Sequence, residues 1–391
     1  MRYNAKEQMS MKLKRKLSEF LKRETVLTVA VFLAIVSAVM TPPDREYAGY
    51  IDFRTLSILF CLMTVMAGLQ KLGVFRNIAK TLLRYTQNTI QLVEVLVLLC
   101  FFFSMIITND VSLITFVPFT FIVLRLTGEE AVKKLAVPVI VLQTIAANLG
   151  SMLTPIGNPQ NLYLYGKTQM SAGTFILLML PYSLVSLLLL VICGVIVAKR
   201  SRIEVRGAEV LLTEDEKLEQ KKYLLPAYLL LFVLCLLTVA HMIPYPVTLV
   251  TVALAVLLLD RGTIIKVDYS LLLTFVGFFI FIGNMGRMPA FCDFLQKIIG
   301  GREVMTAVIA GQVISNVPAA LLLSGFTENI TALIIGTNLG GLGTLIASMA
   351  SLISYKQVAR QIPGEKKKYF GWFTIANIVF LMILVLENCL L

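Results

Sequence analysis

The sequence predicts an all-α polytopic membrane protein with about ten to eleven transmembrane segments, two re-entrant hairpins and an inverted-topology repeat containing two broken helices. Three observations lead there. Of 391 residues, 58% are hydrophobic and 15% charged, and the mean hydropathy is +0.83, which excludes a soluble domain of ordinary composition. Apolar stretches long enough to span, about 17 to 25 residues each, recur along the chain. One of them is interrupted at Asn148 to Asn161, which reads Asn-Leu-Gly-Ser-Met-Leu-Thr-Pro-Ile-Gly-Asn-Pro-Gln-Asn, and Asn338 onward repeats the pattern as Asn-Leu-Gly-Gly-Leu-Gly-Thr-Leu-Ile-Ala-Ser.

The net charge of +12 lies in loops beside apolar segments. That is the positive-inside pattern of a membrane protein, and it argues against nucleic acid as a partner. Residues 1–24 carry a basic cluster from Lys12 to Arg23 and read as a cytoplasmic N-terminus facing anionic lipid; its length argues against a cleaved signal. The first span, Thr25 to Met40, exits at Thr41 to Asp52. The second, Leu56 to Gln70, returns to a cytoplasmic loop with Lys71, Arg76, Lys80 and Arg84, which completes a first scaffold part, 25–90.

From Leu92 an apolar run reaches Thr108-Asn109-Asp110 and continues through Val111 to Arg125. Both flanks are basic, so the run reads as a hairpin entering from the cytoplasm. The broken span, Leu135 to Tyr165, crosses outward and Phe175 to Ala198 returns, giving a first transport part, 91–198. Residues 199–222 mix both charge signs and read as a cytoplasmic linker. Spans Tyr223 to His241 and Val247 to Leu259 flank an outer turn broken by Pro244 and Pro246, and Leu271 to Met285 leads outward, in a second scaffold part, 223–302. The hairpin at Ser315-Asn316-Val317-Pro318 then enters from outside. The second broken span, Ile330 to Tyr355, descends to the basic loop Lys356 to Lys368, and Trp372 to Leu386 ends the chain outside, in a second transport part, 303–391.

Asp52 to Phe75 aligns without gaps to Asp268 to Phe291 at an offset of 216 (268 minus 52), pairing Lys71 with Arg287. Loop charges place the two copies in opposite directions, the arrangement that offers one site to each side in turn.

Prolines, glycines and asparagines at membrane depth force the helix to break, and broken backbone is tolerated there only where protein or a polar cavity satisfies it. The freed carbonyls and N–H groups become ligands. Candidate ligands are Thr108, Asn109, Asp110, Asn148, Thr154 and Asn161 in the first half, and Ser315, Asn316, Asn338, Gly340, Gly341 and Ser348 in the second. Asp110 reads either as a carboxylate for proton coupling or cation binding, or as the N-cap of a helix from Val111. Gln143, Gln312 and Asn377 either line the site or join helices. His241, the only histidine, reads as interfacial; the sequon at Asn329 is discounted, and the six dispersed cysteines read as packing residues. No nucleophile with a base and no metal cluster appears, so an enzyme is not expected, nor a cofactor beyond Na+ or H+ as coupling ion.

The ordered set Thr108-Asn109-Asp110, Thr154-Pro155-Ile156-Gly157-Asn158-Pro159-Gln160-Asn161, Ser315-Asn316-Val317-Pro318 and Asn338-Leu339-Gly340-Gly341 resembles the ion transporter superfamily. Within it the sequence is similar to the divalent anion/sodium symporters and to the ArsB/NhaD-like group of citrate and arsenite permease type. The resemblance covers most of the chain after the basic N-terminus. It implies secondary active transport of a small anion, carboxylate or inorganic, coupled to Na+ or H+, by a homodimer in the cell membrane whose hairpin-containing domain moves like an elevator. Sodium/proton antiport and arsenite efflux are the alternatives, and a non-transporting membrane scaffold a distant one. Carried over residue by residue, it implies Na+ at Thr108, Asn109 and Asn158 and at Ser315, Asn316 and Thr344, with Gly157 and Ala347 beside them. The third tip position departs from the symporter pattern, being Asp110 in one half and Val317 in the other.

Overall fold

A backbone removed from water must satisfy its own polar groups, and a helix does so within one segment. The computed structural model describes residues 24–203 and 223–391, and among them every regular element is helical. The basic N-terminus and most of the expected linker lie outside the described residues.

The first half contains α1 (Thr25–Met40), a short α2 (Tyr47–Tyr50), α3 (Phe53–Lys71), α4 (Val74–Arg84), hairpin arms α5 (Thr89–Ile107) and α6 (Asn109–Thr127), α7 (Glu129–Ser151) and α8 (Pro159–Gly166) around the first break, and α9 (Ala172–Ser201). Then comes α10 (Leu224–Val239). The second half contains α11 (Tyr245–Leu259), a short α12 (Arg261–Ile264), α13 (Tyr269–Gly286), α14 (Pro289–Ile299), hairpin arms α15 (Glu303–Ile314) and α16 (Asn316–Leu323), α17 (Ile330–Leu339) and α18 (Met349–Gln361) around the second break, and α19 (Lys366–Leu390). Each of α1 to α9 thus recurs, in order, as α11 to α19. The counterpart of α10 at the offset of 216 falls on residues 8–23 (224 minus 216, 239 minus 216), outside the described residues.

Among the described residues, seven helices are long and apolar enough to cross a membrane: α3, α5, α6, α7, α9, α13 and α19 with the turn before it. Shorter apolar helices are α1, α10, α11, α15 and α17. The two hairpins differ in size. The arms of the first are 19 residues each, about 28 Å at 1.5 Å per residue, whereas those of the second are 12 and 8 residues.

The repeat is visible in local detail. Asp52 and Asp268 cap α3 and α13 with the same backbone conformation (φ −78°, ψ 85° and φ −77°, ψ 84°), accepting from Thr55 N–H and Leu271 N–H respectively. Its inversion follows from ion pairs. Lys71, at the end of α3, meets Asp260, which precedes α13, and Arg287, after α13, meets Asp44, which precedes α3. The equivalent helices α3 and α13, which pack together, therefore run in opposite directions. The halves also exchange partners: α1 packs on α13, and α11 on α3.

Candidate functional site

Both helices break where the sequence withholds backbone support. In the first break Pro155 and Pro159 lack N–H groups, and Pro159 opens α8 where none is needed, behind an extended Asn158 (φ −142°, ψ 146°). The second has no proline and relies on Gly340, Gly341 and Gly343, the last at φ 105°, before an extended Ser348 (φ −139°, ψ 133°) opens α18. The two breaks superpose in sequence at an offset of 190 (338 minus 148), pairing Gly157 with Ala347, Asn158 with Ser348 and Asn161 with Ser351.

The hairpin tips share an unusual backbone. Thr108 (φ 69°, ψ 154°) and Ser315 (φ 74°, ψ 155°) occupy a region that side chains with a Cβ avoid, at a cost of about 1–3 kcal/mol each. This conformation directs the following N–H into the break. Asn109 N–H donates to the Gly157 carbonyl at 3.3 Å and Asn316 N–H to the Ala347 carbonyl at 3.0 Å. Each Asn then accepts, through its side-chain oxygen, the next N–H, from Asp110 and Val317, both at 2.9 Å. α6 starts at Asn109 behind Thr108 with no side-chain cap bond, and Asp110 lies inside its first turn, so the capping reading of Asp110 is corrected.

The breaks are tied to each other by asparagines. Asn148 Oδ1 accepts from Asn109 Nδ2 at 3.1 Å and from Ser348 Oγ at 2.9 Å, and Asn148 Nδ2 donates to Ser351 Oγ at 3.3 Å. Its counterpart Asn338 repeats the crossing: Oδ1 accepts from Asn158 Nδ2 at 3.4 Å, and Nδ2 donates to Asn161 Oδ1 at 2.7 Å. Each asparagine before a break thus grips the first turn after the other break. All of these side chains are buried.

The freed carbonyls are bound differently in the two halves. In the first, Asn161 Nδ2 donates to the carbonyls of Ser151, Met152 and Thr154 at 3.1 to 3.4 Å. In the second, Gln312 from the hairpin arm donates to those of Gly340 and Leu342 at 3.1 and 2.8 Å, besides the Val308 carbonyl of its own arm, and its Oε1 accepts Thr344 N–H at 2.9 Å.

A cavity of about 170 Å³ opens beside the first break, between it, the tip of the first hairpin, α3 and the loop before α13. Thr108, Asp110, Asn158, Gln70, Lys266 and Asp268 supply its polar lining. Asp110 Oδ1 and Asn158 Oδ1 are buried without a hydrogen-bond partner. Gln70 Nε2 donates to Thr115 Oγ1 at 3.0 Å, joining α3 to the hairpin.

The family described as citrate transporter, CitMHS, matches residues 16–332. The chain belongs to this family. Among its relatives, an uncharacterized transporter of Methanocaldococcus jannaschii is 30% identical over 361 residues, covering 92% of this chain and 94% of that one. The inner membrane protein YbiR of Escherichia coli is 31% identical over 320 residues, 80% of this chain and 82% of the other. A silicon efflux transporter of Oryza sativa subsp. japonica is 32% identical over 153 residues, 38% of this chain and 30% of that one.

For this citrate transporter family member, the structure brings together Thr108, Asn109, Asp110, Asn148, Gly157, Asn158 and Asn161 with Ser315, Asn316, Asn338, Gly341, Ala347 and Ser348. The hydroxyls of Thr154 and Thr344 turn away from that network and donate to the hairpin arms, at the carbonyls of Met105 (2.5 Å) and Gln312 (3.2 Å). Gly340 serves close approach, since a Cβ there would lie 3.0 Å from Val308 Cα. Gln143 joins helices by donating to the Leu96 carbonyl and Thr120 Oγ1, while Asn377 donates to Phe373 in its own helix. Asn329 caps α17, and the His241 ring lies tilted 5.5 Å from that of Tyr165, beside Arg54 at a span end. Several residues escaped the sequence reading, among them Gln70, Lys266 and Asp268 of the cavity lining. Ser351 was signalled by the offset of 190 from Asn161, and Gln160, whose buried Nε2 has no partner, by its place between Pro159 and Asn161.

Proposed function

We propose that this chain is a secondary active transporter that carries a small anion, carboxylate or inorganic, through the site between its two breaks, coupled to Na+ or H+. The observation that carries this reading is the reciprocal grip of Asn148 and Asn338 across the two halves. Two breaks that only needed satisfying could each be closed locally; joining them at the hairpin tips builds one polar locus where helix N-termini face inward. The N-termini of α8 and α18 supply N–H groups suited to an anion, and the tip and break oxygens supply hard ligands suited to a cation.

In this reading residues 25–90 and 223–302 form the scaffold and 91–198 and 303–391 the moving transport parts of an elevator. The protein works as a homodimer in the cell membrane, with the N-terminus in the cytoplasm and the C-terminus outside. The cavity beside Asp110 reaches Lys266 and Asp268, in a loop assigned to the cytoplasmic side, and serves as the inward route.

A second reading, efflux of an oxyacid such as arsenite or antiport of Na+ and H+, is favoured by a specific feature. The groups that join the breaks are neutral amides and hydroxyls, which suit an uncharged polyhydroxylated acid, and the rice relative is named for silicon efflux. Uptake of labelled citrate, succinate, sulfate and arsenite into proteoliposomes, with sodium and pH gradients imposed separately, tests both. Accumulation that follows one gradient is expected; dependence on neither rejects coupling.

A further inference from the structure

Helix α9 packs on α7, and α19 packs on both. The three leave a cavity of about 200 Å³ between them, walled by Pro138 and Leu142 of α7, Cys193 of α9 and Phe380 of α19, and ending on Trp372 and Arg200. Its lining follows α19 from Trp372 to Phe380, about 12 Å at 1.5 Å per residue. Apolar exposure alone says little in a bilayer, where lipid covers any such face. A cavity that carries an arginine asks for more. Arg200 is the charged residue of the lining and lies in the last turn of α9 beside Lys199. Helix α19 opens with Lys366, Lys367 and Lys368, so two basic runs meet at one mouth. Among the described residues no acid forms an ion pair with Arg200.

The repeat supplies a control. At the offset of 190 (390 minus 200), Lys199 and Arg200 become Cys389 and Leu390, and Trp372 becomes Tyr182, whose hydroxyl donates to Asn388 Oδ1 at 2.9 Å. The inverted position thus has neither cation, and a hydrogen bond joins its two helices. We propose that the cavity between α7, α9 and α19 binds an anionic phospholipid of the cytoplasmic leaflet, with one acyl chain along α19 and the phosphate on Arg200. Loop charges assign the end of α9 and the start of α19 to the cytoplasm, the side where anionic lipid lies and where basic pockets between helices take headgroups. A guanidinium pairs with phosphate through two parallel hydrogen bonds. Every phospholipid has that phosphate, so selection falls to the lysines, which repel a choline headgroup and accept an anionic one. The site lies on other residues than the two breaks and calls on no step of transport.

Trp372 is the chain's only tryptophan, so its fluorescence reads the cavity directly. The full chain is reconstituted in phosphatidylcholine vesicles containing brominated phosphatidylglycerol or, in parallel, brominated phosphatidylcholine, since bromine quenches tryptophan on contact. Saturable quenching with about fivefold preference for phosphatidylglycerol is expected, the enrichment that one basic residue gives near an anionic surface. Arg200→Gln should lose the preference and Arg200→Lys keep most of it. Lys199→Gln, which removes a neighbouring cation outside the lining, should keep most of it as well. Equal quenching by the two lipids in the parent chain would overturn the proposal. So would equal loss in Arg200→Gln and Lys199→Gln, which assigns the preference to general surface charge. Quenching by neither lipid would show that protein fills the cavity and would overturn it too.

Discussion

Lys71 Nζ, at the end of α3, lies 2.6 Å from Asp260 of the opposite half. The same pair recurs inverted, Arg287 Nη1 lying 2.6 Å from Asp44, and both members shift by 216 residues (287 minus 71, 260 minus 44). Each pair also joins two loops that charge patterning assigns to one side, Lys71 with Asp260 inside and Asp44 with Arg287 outside. Two contacts far apart in sequence thus agree with a topology drawn only from loop charges.

Asp260 gives this clasp a pH signature. Burial pushes its carboxyl up, but hydrogen bonds from Lys71 and Thr263, the Lys71 charge and the Tyr228 hydroxyl outweigh it, and the carboxyl sits below the ordinary value of 3.8. A group depressed on folding adds stability above its unfolded pKa and loses it as pH falls through the folded one. The clasp should therefore hold at neutral pH and fail below about pH 4. Asp260→Asn is expected to cost about 1 kcal/mol at pH 7, a modest figure because Lys71 is 42% exposed, and to blunt the acid loss. Thermal unfolding in detergent from pH 7 to 3 checks both; identical pH curves for the two proteins would refute the assignment.

The asparagine crossings should behave as equivalents. Asn148→Ala removes the acceptor of Asn109 and Ser348 and the donor to Ser351, and Asn338→Ala removes the partners of Asn158 and Asn161. Buried groups left unpaired cost about 1–3 kcal/mol, so each variant should lower stability by that order and impair transport. Because the two networks share no bond among those described, the double variant should be additive within about 0.5 kcal/mol. Denaturation of both singles and the double decides it.

Much of this was legible in the sequence, and the boundary is physical. The breaks announced themselves because proline, glycine and asparagine act locally on the backbone, wherever the helix sits. The tips did so because Thr108-Asn109 and Ser315-Asn316 recur in order. What stayed hidden depends on contacts between distant segments. Nothing local ties Lys71 to Asp260, or distinguishes Gln312, which holds the second break, from Gln143, which joins helices. Asp110 was ambiguous for the same reason: only the fold decides that it lies inside the first turn of α6 and that its Oδ1 is left bare.

Gly150 and Gly340 occupy equivalent places but differ in tolerance. A Cβ on Gly150 would fall 2.0 Å from the Phe101 carbonyl oxygen, where α7 crosses α5; on Gly340 the nearest atom, the Gly336 oxygen, lies at 2.9 Å. Alanine improves helix propensity by about 1 kcal/mol, but backbone overlap outweighs that gain at Gly150. Gly150→Ala is expected to destabilise by about 2 kcal/mol net and Gly340→Ala by less. Equal midpoints in thermal unfolding would show that the crossing relaxes.

Gln312 stands, at the hairpin offset of 207 (315 minus 108), where the first half has Met105. Gln312→Met therefore installs the counterpart residue and leaves the carbonyls of Gly340 and Leu342 without their donor. A loss of about 2 kcal/mol is expected, together with faster hydrogen exchange in residues 340–344. Exchange unchanged there would mean that water replaces the amide at no cost.

Asp110→Asn separates mechanism from architecture. The exchange keeps the shape of the side chain and removes its charge, and Asp110 Oδ1 has no hydrogen-bond partner to lose. The Asp110 N–H, held by Asn109 Oδ1, is untouched by the substitution. The variant should thus fold with a midpoint close to that of the parent chain, while gradient-driven uptake falls to background because the cavity no longer holds the charge that a coupling ion must neutralise. Proteoliposome uptake under separate sodium and pH gradients reads the second effect, and thermal unfolding the first. Full coupled transport by the folded variant would remove Asp110 from the mechanism and leave the neutral amides and hydroxyls of the two breaks to carry it.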